Sequence, residues 1–213
     1  MRKEHQNEYV FAGEAGEQSH RYLLPGVAAV LASYASSGTG DQRTLVDMGC
    51  GNGAMTSALQ GFTKKIGLEM SESGLAIARV AHPSVEFISC DLCQPIVAPE
   101  LINVADVVVS TEVIEHVFLP RHFITNANKI LRPGGLLVLS TPYHGYLKNL
   151  AIAAVDGFDN HWMPLWDYGH IKFWSRRTLT MLVEECGFEV VDFRGVGRAP
   201  FLWKSMILSA VKR

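Results

Sequence analysis

Apolar and polar positions fall into regular blocks along this chain. Between residues 20 and 36 the apolar side chains Leu23, Leu24, Val27, Val30 and Leu31 recur at helical spacing, and Ser36-Ser37-Gly38-Thr39-Gly40 ends the run. Short apolar stretches follow at 44–48, 65–70, 85–89, 104–110 and 136–141, each separated from the next by enough chain for a helix. Such stretches read as strands covered on both faces, which predicts an α/β fold with a doubly wound, mostly parallel sheet. Ser175 is placed to cap a helix whose Leu179, Leu182 and Val183 face the core, and Gly187 is placed to end it. Stretches 188–193 and 203–211 then read as two more strands joined by the Gly/Pro-containing turn 195–200, so the hairpin makes the last of seven strands antiparallel to its neighbour. The first twenty residues are polar and rich in Gly and Glu, as expected of a mobile lead-in. With no repeat and no linker, the pattern predicts one domain over residues 1–213, with an N-terminal lid and helix at 1–40 and an insert at 142–174 beyond the fifth strand.

Composition narrows the partners more than the fold. A net charge of −2, with 19% charged and 48% hydrophobic residues, describes an ordinary globular protein. It speaks against DNA and gives RNA no support. The cysteines Cys50, Cys90, Cys93 and Cys186 lie in apolar contexts and the N-terminal stretch does not read as a signal peptide, so reduced thiols and a cytoplasmic location are expected. Cys90 and Cys93 form a C-x-x-C, but no second pair completes a zinc set. No apolar run reaches the ~18 residues that span a bilayer.

The first strand runs into Val46-Asp47-Met48-Gly49-Cys50-Gly51-Asn52-Gly53. In a doubly wound sheet, ligands sit beyond the carboxyl ends of the strands, where the winding reverses. Glycines at a strand-to-helix turn let backbone approach a ligand closely, and the amides that follow suit a carboxylate or a phosphate. Asp47 is placed to accept hydrogen bonds from the loop or from a ligand ammonium. Gly49-x-Gly51-x-x-Ala54 also satisfies the dinucleotide fingerprint, and Glu69, about twenty residues on, suits ribose hydroxyls in either case. The glycines alone leave the nucleotide open.

Taken together, Asp47-x-Gly49-x-Gly51-x-Gly53, Glu69, Cys90-Asp91-Leu92 and Leu131-Arg132-Pro133-Gly134-Gly135-Leu136 resemble class I S-adenosylmethionine-dependent methyltransferases, over nearly the whole chain. The resemblance implies that the Gly49–Gly53 turn holds the methionine part of S-adenosylmethionine, Glu69 the ribose hydroxyls, and Asp91 with Leu92 the adenine. Met70 beside Glu69 and Thr111 after the fourth strand complete the expected cofactor set, and Arg21 aligns loosely with an N-terminal arginine that ubiquinone-type enzymes use near the cofactor carboxylate. The segment 9–22 is a candidate lid.

After the fourth strand comes Thr111-Glu112-Val113-Ile114-Glu115-His116. In a helix, Glu112, Glu115 and His116 share one face, and two carboxylates with an imidazole suit Mg²⁺, Mn²⁺ or another divalent ion. This is not the His-Glu-x-x-His order of a zinc protease. The pentapeptide Glu112–His116 resembles the ubiquinone-biosynthesis O-methyltransferases and the small-RNA 2′-O-methyltransferases, where such residues bind a divalent cation; that resemblance makes His170 a fourth ligand. Without metal, His116, His144 or His170 is a candidate general base, and the histidines also suit a purely structural role.

The aromatic insert, with Tyr143, Tyr146, Phe158, Trp162, Trp166 and Tyr168, suits an aromatic or prenylated acceptor or a membrane surface touched through 146–168; the apolar 147–155 equally suits a core helix under an ordinary lid. The expected function is O-methylation of a small hydroxylated, catechol or quinol-like acceptor. RNA 2′-O-methylation and a catalytically silent binding protein on the same fold are the rivals; a nicotinamide dehydrogenase is disfavoured by Asp47, Gly53, Asp91 and the closing hairpin. Nothing in the sequence sets the oligomeric state.

Overall fold

The strand blocks are apolar on successive residues because both faces of the sheet are covered, and the computed structural model shows by what. It describes Phe11, Gly13 and residues 19–35, 43–96 and 98–213. The lead-in before Phe11, most of the candidate lid at 9–22 and the helix-ending Ser36–Gly40 lie outside the described residues. In chain order the elements are α1 (His20–Ala35), β1 (Thr44–Met48), α2 (Ala54–Ala58), β2 (Lys64–Glu69), α3 (Glu72–Ala81), β3 (Glu86–Ser89), β4 (Ala105–Thr111), α4 (Pro120–Ile130), β5 (Leu131–Pro142), α5 (Tyr146–Ala154), α6 (Phe158–Trp162), α7 (Arg176–Glu185), β6 (Phe188–Val196) and β7 (Ser205–Lys212).

The strands form one seven-stranded sheet in the order β3-β2-β1-β4-β5-β7-β6. β7 runs antiparallel to both β5 and β6, while β1 to β5 pair in parallel. Alternate residues of each strand go to opposite faces. Leu45, Val107, Val109, Leu136 and Val138 meet Leu23, Val27, Val30 and Leu31 of α1. Val46, Val108, Leu137 and Leu139 face Phe123 and Ile124 of α4 with Leu179 and Val183 of α7. Each fully buried side chain of this size contributes about 1.5–3 kcal/mol, so covering both faces is what makes the sheet rigid enough to hold a site at its edge.

The helix signals act as read. The Ser175 hydroxyl accepts the Thr178 N–H at 3.2 Å, and the Thr178 hydroxyl accepts the Ser175 N–H at 3.1 Å. The fifth strand departs from expectation. It starts at Leu131 rather than 136, because Leu131 pairs with Ala105 before a register shift at which Arg132–Gly134 are exposed, and Arg132 there meets buried Asp106 at 2.6 Å. Among the described residues no helix is long and apolar enough to cross a membrane.

The consequence for function lies at the carboxyl ends of β1 and β4. These neighbours lead to opposite halves of the sheet, β1 towards β2 and β4 towards β5, so the turns after them part and leave a crevice.

Candidate functional site

A cleft of about 310 Å³ occupies that crevice. Its floor begins with Asp47, the fourth residue of β1, which is 1% exposed. The Thr56 hydroxyl of α2 donates to Asp47 Oδ2 at 2.5 Å, while Oδ1 is buried without a partner. Burial, opposed by that hydrogen bond and reinforced by the field of Glu69, raises the Asp47 carboxyl to about 7. A buried carboxylate oxygen left open beside a cleft is suited to a cationic ligand group.

The turn after Asp47 needs glycine. Gly49 has φ +81°, and a Cβ there would stand 2.6 Å from the Val113 side chain. Gly51 has φ +54° and lies under the ring of Phe11, 2.7 Å from where a Cβ would be. Glu69, closing β2, braces this turn: Oε2 accepts the Gly51 N–H at 2.9 Å, and Oε1 accepts the N–H groups of Met70 and Ser71 at 2.9 and 2.8 Å. The first α2 amide, Ala54 N–H, is taken by Asn52 Oδ1 at 3.2 Å. Asn52 also donates to the Gly13 carbonyl at 2.8 Å and Phe11 N–H meets the Ser73 hydroxyl at 3.4 Å, which together set the Phe11 ring over the glycine turn.

Of the expected cofactor residues, Asp47, Gly49, Gly51, Glu69 and Thr111 line the cleft. The others do not. Gly53 is turned onto Phe87. Asp91 is exposed and accepts the Cys93 N–H at 2.8 Å, while Leu92 is part of the apolar core. Met70 is 56% exposed, and Arg21 lies on the open side of α1, one residue past the cleft-lining His20.

The acidic segment after β4 is not a helix. Glu112 adopts φ +54°, and only Ile114–His116 form a single 3₁₀ turn. The shared helical face therefore does not exist, and Glu112 parts from the other two. Its N–H reaches the Ser140 carbonyl at 3.1 Å, and its carboxylate accepts the hydroxyls of Ser140 at 2.8 Å and Ser205 at 2.9 Å. Burial raises it to about 7 against those two hydrogen bonds.

Glu115, His116 and His170 are instead brought together, with one donor atom of each within 4.8 Å of the others. Glu115 is 1% exposed. Its Oε2 accepts the Thr141 hydroxyl at 3.0 Å; its Oε1 has no hydrogen-bond partner and lies 4.0 Å from Nε2 of both His116 and His170. The Glu115 carbonyl accepts the N–H groups of Ile171 and Lys172, both at 2.9 Å, and this carries His170 to the triad. His116 Nδ1 faces the Tyr168 carbonyl at 2.8 Å; a carbonyl only accepts, so the proton sits on Nδ1 and the Nε2 lone pair points at Glu115. Burial lowers His116, and burial with the neighbouring His116 pushes His170 down to about 4, so both imidazoles are neutral near pH 7. Burial, then the field of Glu112, raises Glu115 well above the carboxylate range. A buried carboxyl oxygen facing Nε2 of two neutral imidazoles is a set of donors around one point, which is what a divalent ion requires.

Trp166 of the segment after α6 closes the mouth, its ring 6.0 Å from His116 and 5.5 Å from His170, centre to centre. His144 lies elsewhere, buried against Phe173 and His161, and does not line the cleft. Thr56 and Thr141 carry no local sequence signal. Phe11 and Trp166 had one, their aromatic character near a loop and in an insert, but not one that placed them.

The chain belongs to the methyltransferase-domain family, whose model matches residues 16–192. A Mycolicibacterium smegmatis protein named as a probable S-adenosylmethionine-dependent methyltransferase is 31% identical over 155 residues, which cover 72% of this chain and 55% of that one. A ubiquinone biosynthesis O-methyltransferase of Dinoroseobacter shibae is 29% identical over 157 residues, or 71% of this chain and 62% of that one. This chain thus matches little more than half the length of these relatives. Among solved structures, magnesium protoporphyrin IX methyltransferase of Synechocystis PCC 6803, with bound S-adenosylhomocysteine, superposes with a TM-score of 0.67 at 18% identity, covering 90% of this chain and 84% of that one. A [4+2]-cyclase superposes equally well, at 0.67 and 17% identity over 95% and 84% of the two chains. The fold expected from the sequence, the class I methyltransferase fold, is thereby shown, while the cyclase marks that one fold carries more than one chemistry.

Proposed function

We propose that this protein is an S-adenosylmethionine-dependent methyltransferase that O-methylates a small acceptor of the catechol or quinol type, with a divalent cation held by Glu115, His116 and His170. The observation that carries the reading is Glu115 Oε1, buried, without a hydrogen bond and equidistant from two imidazole nitrogens, in the same cleft as the Asp47–Glu69 glycine turn. Family membership and the ubiquinone-type relatives support methyl transfer to oxygen. The open Asp47 Oδ1 suits the donor's ammonium group, and Phe11 closes over the same turn.

S-adenosylmethionine supplies a methyl group on an already activated sulfonium, so the protein's own work is to aim the acceptor oxygen and take up its proton. A bound cation would lower the pKa of the attacking hydroxyl and fix its orientation. With Glu112 committed to Ser140 and Ser205, two imidazoles and one carboxylate remain, a set that suits Mn²⁺, Co²⁺, Fe²⁺ or Zn²⁺ better than Mg²⁺. Thr141 and the Tyr168 carbonyl hold the donors in orientation.

Calorimetry tests the reading: S-adenosylhomocysteine is expected to bind and NADH not to, and labelled donor is expected to label a catechol in the presence of Mn²⁺. Binding without transfer to any hydroxylated acceptor would favour the silent binding protein; NADH binding would sink the proposal. The roof contact gives a second check. Phe11→Ala removes an aromatic wall worth about 1–1.5 kcal/mol beyond simple burial, and is expected to raise the dissociation constant for S-adenosylhomocysteine roughly tenfold. An unchanged constant would show that the ring does not touch the ligand.

A further inference from the structure

Two stretches near the carboxyl edge of the sheet leave large apolar side chains in solvent. On α5 these are Tyr146, Leu147 and Leu150, with Tyr146 79% exposed. Leu147 and Tyr146 stand three and four residues before Leu150, on one face of the helix. On the turn 197–204 between β6 and β7, Phe201 and Leu202 are exposed as well. Phe201 holds φ +66°, a conformation that costs an aromatic residue energy and that a turn serving only to join strands fills with glycine. The two stretches are fastened to each other. The Lys204 carbonyl accepts the Tyr143 N–H at 3.0 Å and the Lys148 ammonium at 3.3 Å. The Trp203 ring meets Tyr143 edge-on with centres 5.0 Å apart, and lies 5.4 Å from the Phe201 ring.

Charge on this face has one sign. Residues 142–155 and 193–205 contain Lys148, Arg194, Arg198 and Lys204, and no aspartate or glutamate. Asp192, just before the turn, is held by Arg194 at 2.6 Å, while Asp156, Asp159 and Asp167 follow α5 and set the limit of the surface. Lys148 is buried, whereas Arg198 and Lys204 are exposed. The field of Arg198 reaches Lys148 and His161, which puts its charge beside α5 and α6. Exposed rings and aliphatic groups with cations around them suit anionic lipid: the apolar groups enter the headgroup boundary and the cations meet phosphates. We infer that α5 and the β6–β7 turn form one docking surface for a bilayer rich in anionic lipid. At nine residues α5 is too short to cross, so it lies in the plane of the surface. β6 runs parallel to β5, so its turn stands on the same edge of the sheet as the cleft, and Ser205 at the end of that turn donates to Glu112 of the cleft wall at 2.9 Å. Docking therefore holds the cleft close to the bilayer. The membrane contact expected through 146–168 is narrowed to α5 and joined by a segment some fifty residues further on, at 197–204. Docking needs neither the metal triad nor methyl transfer, and is tested apart from both.

Co-sedimentation of the full chain with vesicles makes the test, comparing phosphatidylglycerol mixed equally with phosphatidylcholine against phosphatidylcholine alone. The anionic vesicles are expected to bind at least about tenfold more tightly, with the gap closing at high salt. Arg198→Glu is expected to weaken that binding roughly tenfold. Phe201→Gly removes the ring at a position where glycine takes φ +66° without strain, so the melting temperature is expected to hold while binding weakens. Combined with Leu147→Ser, the loss is expected to reach at least about tenfold. No binding to either vesicle at low salt, or equal binding to both, overturns the proposal. Unaltered binding in the Phe201→Gly, Leu147→Ser variant overturns it too, because the lipid then meets another face. So does a dimer in sedimentation velocity that these two exchanges convert to monomer, since the surface then belongs to a second copy of the chain.

Discussion

Exchanging Glu115 for glutamine is expected to abolish methyl transfer while making the metal-free protein more stable. The two effects share one cause. Glu115 is 1% exposed, and its Oε1 has no hydrogen-bond partner and faces Nε2 of His116 and of His170. An ionised carboxylate there is costly without a cation, and glutamine replaces it with a neutral amide whose N–H₂ suits the His116 Nε2 lone pair. Burial holds the Glu115 carboxyl protonated in the metal-free protein at a cost the unfolded chain does not bear near pH 7, and removing that cost stabilises by about 1 kcal/mol or more. The same exchange deletes the anionic ligand, so a drop of roughly a hundredfold or more in activity is expected, with Mn²⁺ no longer raising the melting temperature. Full turnover by Glu115→Gln, or by the unaltered protein in excess chelator, would leave the triad as structural residues.

The same crowding fixes a pH dependence. Burial lifts Asp47 from 3.8 and Glu112 from 4.5 to about 7 each, and lifts Glu115 in the same direction. Between the ordinary carboxylate range and about 7, the folded metal-free protein therefore retains protons that the unfolded chain has released. Stability of the ligand-free form falls as pH rises through that window, because the native state binds the extra protons.

The sheet was legible in the sequence because strands covered on both faces are apolar at successive positions, as in Thr44–Met48 and Ala105–Thr111, and because Ser175 and Gly187 act within a few residues of themselves. The glycine turn was legible for the same reason: Asp47, Gly49 and Gly51 act where they stand. The acidic segment was legible in content but not in shape. Helical spacing put Glu112 with Glu115 and His116, whereas its carboxylate is held by Ser140, 28 residues away, and Ser205, 93 away. No local pattern reports partners that distant. His170 was anticipated by resemblance, and it arrives through two backbone hydrogen bonds to the Glu115 carbonyl, an interaction with no side-chain signature. Asp91 and Leu92 show the converse, a motif whose side chains cap a turn and fill the core rather than face the cleft.

Gly49 links the two halves of the cleft, and Gly49→Ala is expected to damage both. At φ +81° an alanine carries strain of about 1 kcal/mol or more, and its Cβ would stand 2.6 Å from Cγ2 of Val113. Val113 precedes the turn that carries Glu115 and His116, so relief of that contact moves either the glycine turn or the triad. A loss of about 2–3 kcal/mol in stability is expected, with S-adenosylhomocysteine bound at least about tenfold more weakly and Mn²⁺ affinity lowered as well. The cause is separable. Adding Val113→Ala relieves the contact but not the backbone strain, so the double variant is expected to be about 1 kcal/mol more stable than the two single effects summed. Strict additivity in thermal and urea unfolding would mean that Val113 does not transmit the damage, and an unaltered Mn²⁺ affinity in Gly49→Ala would uncouple the donor loop from the triad.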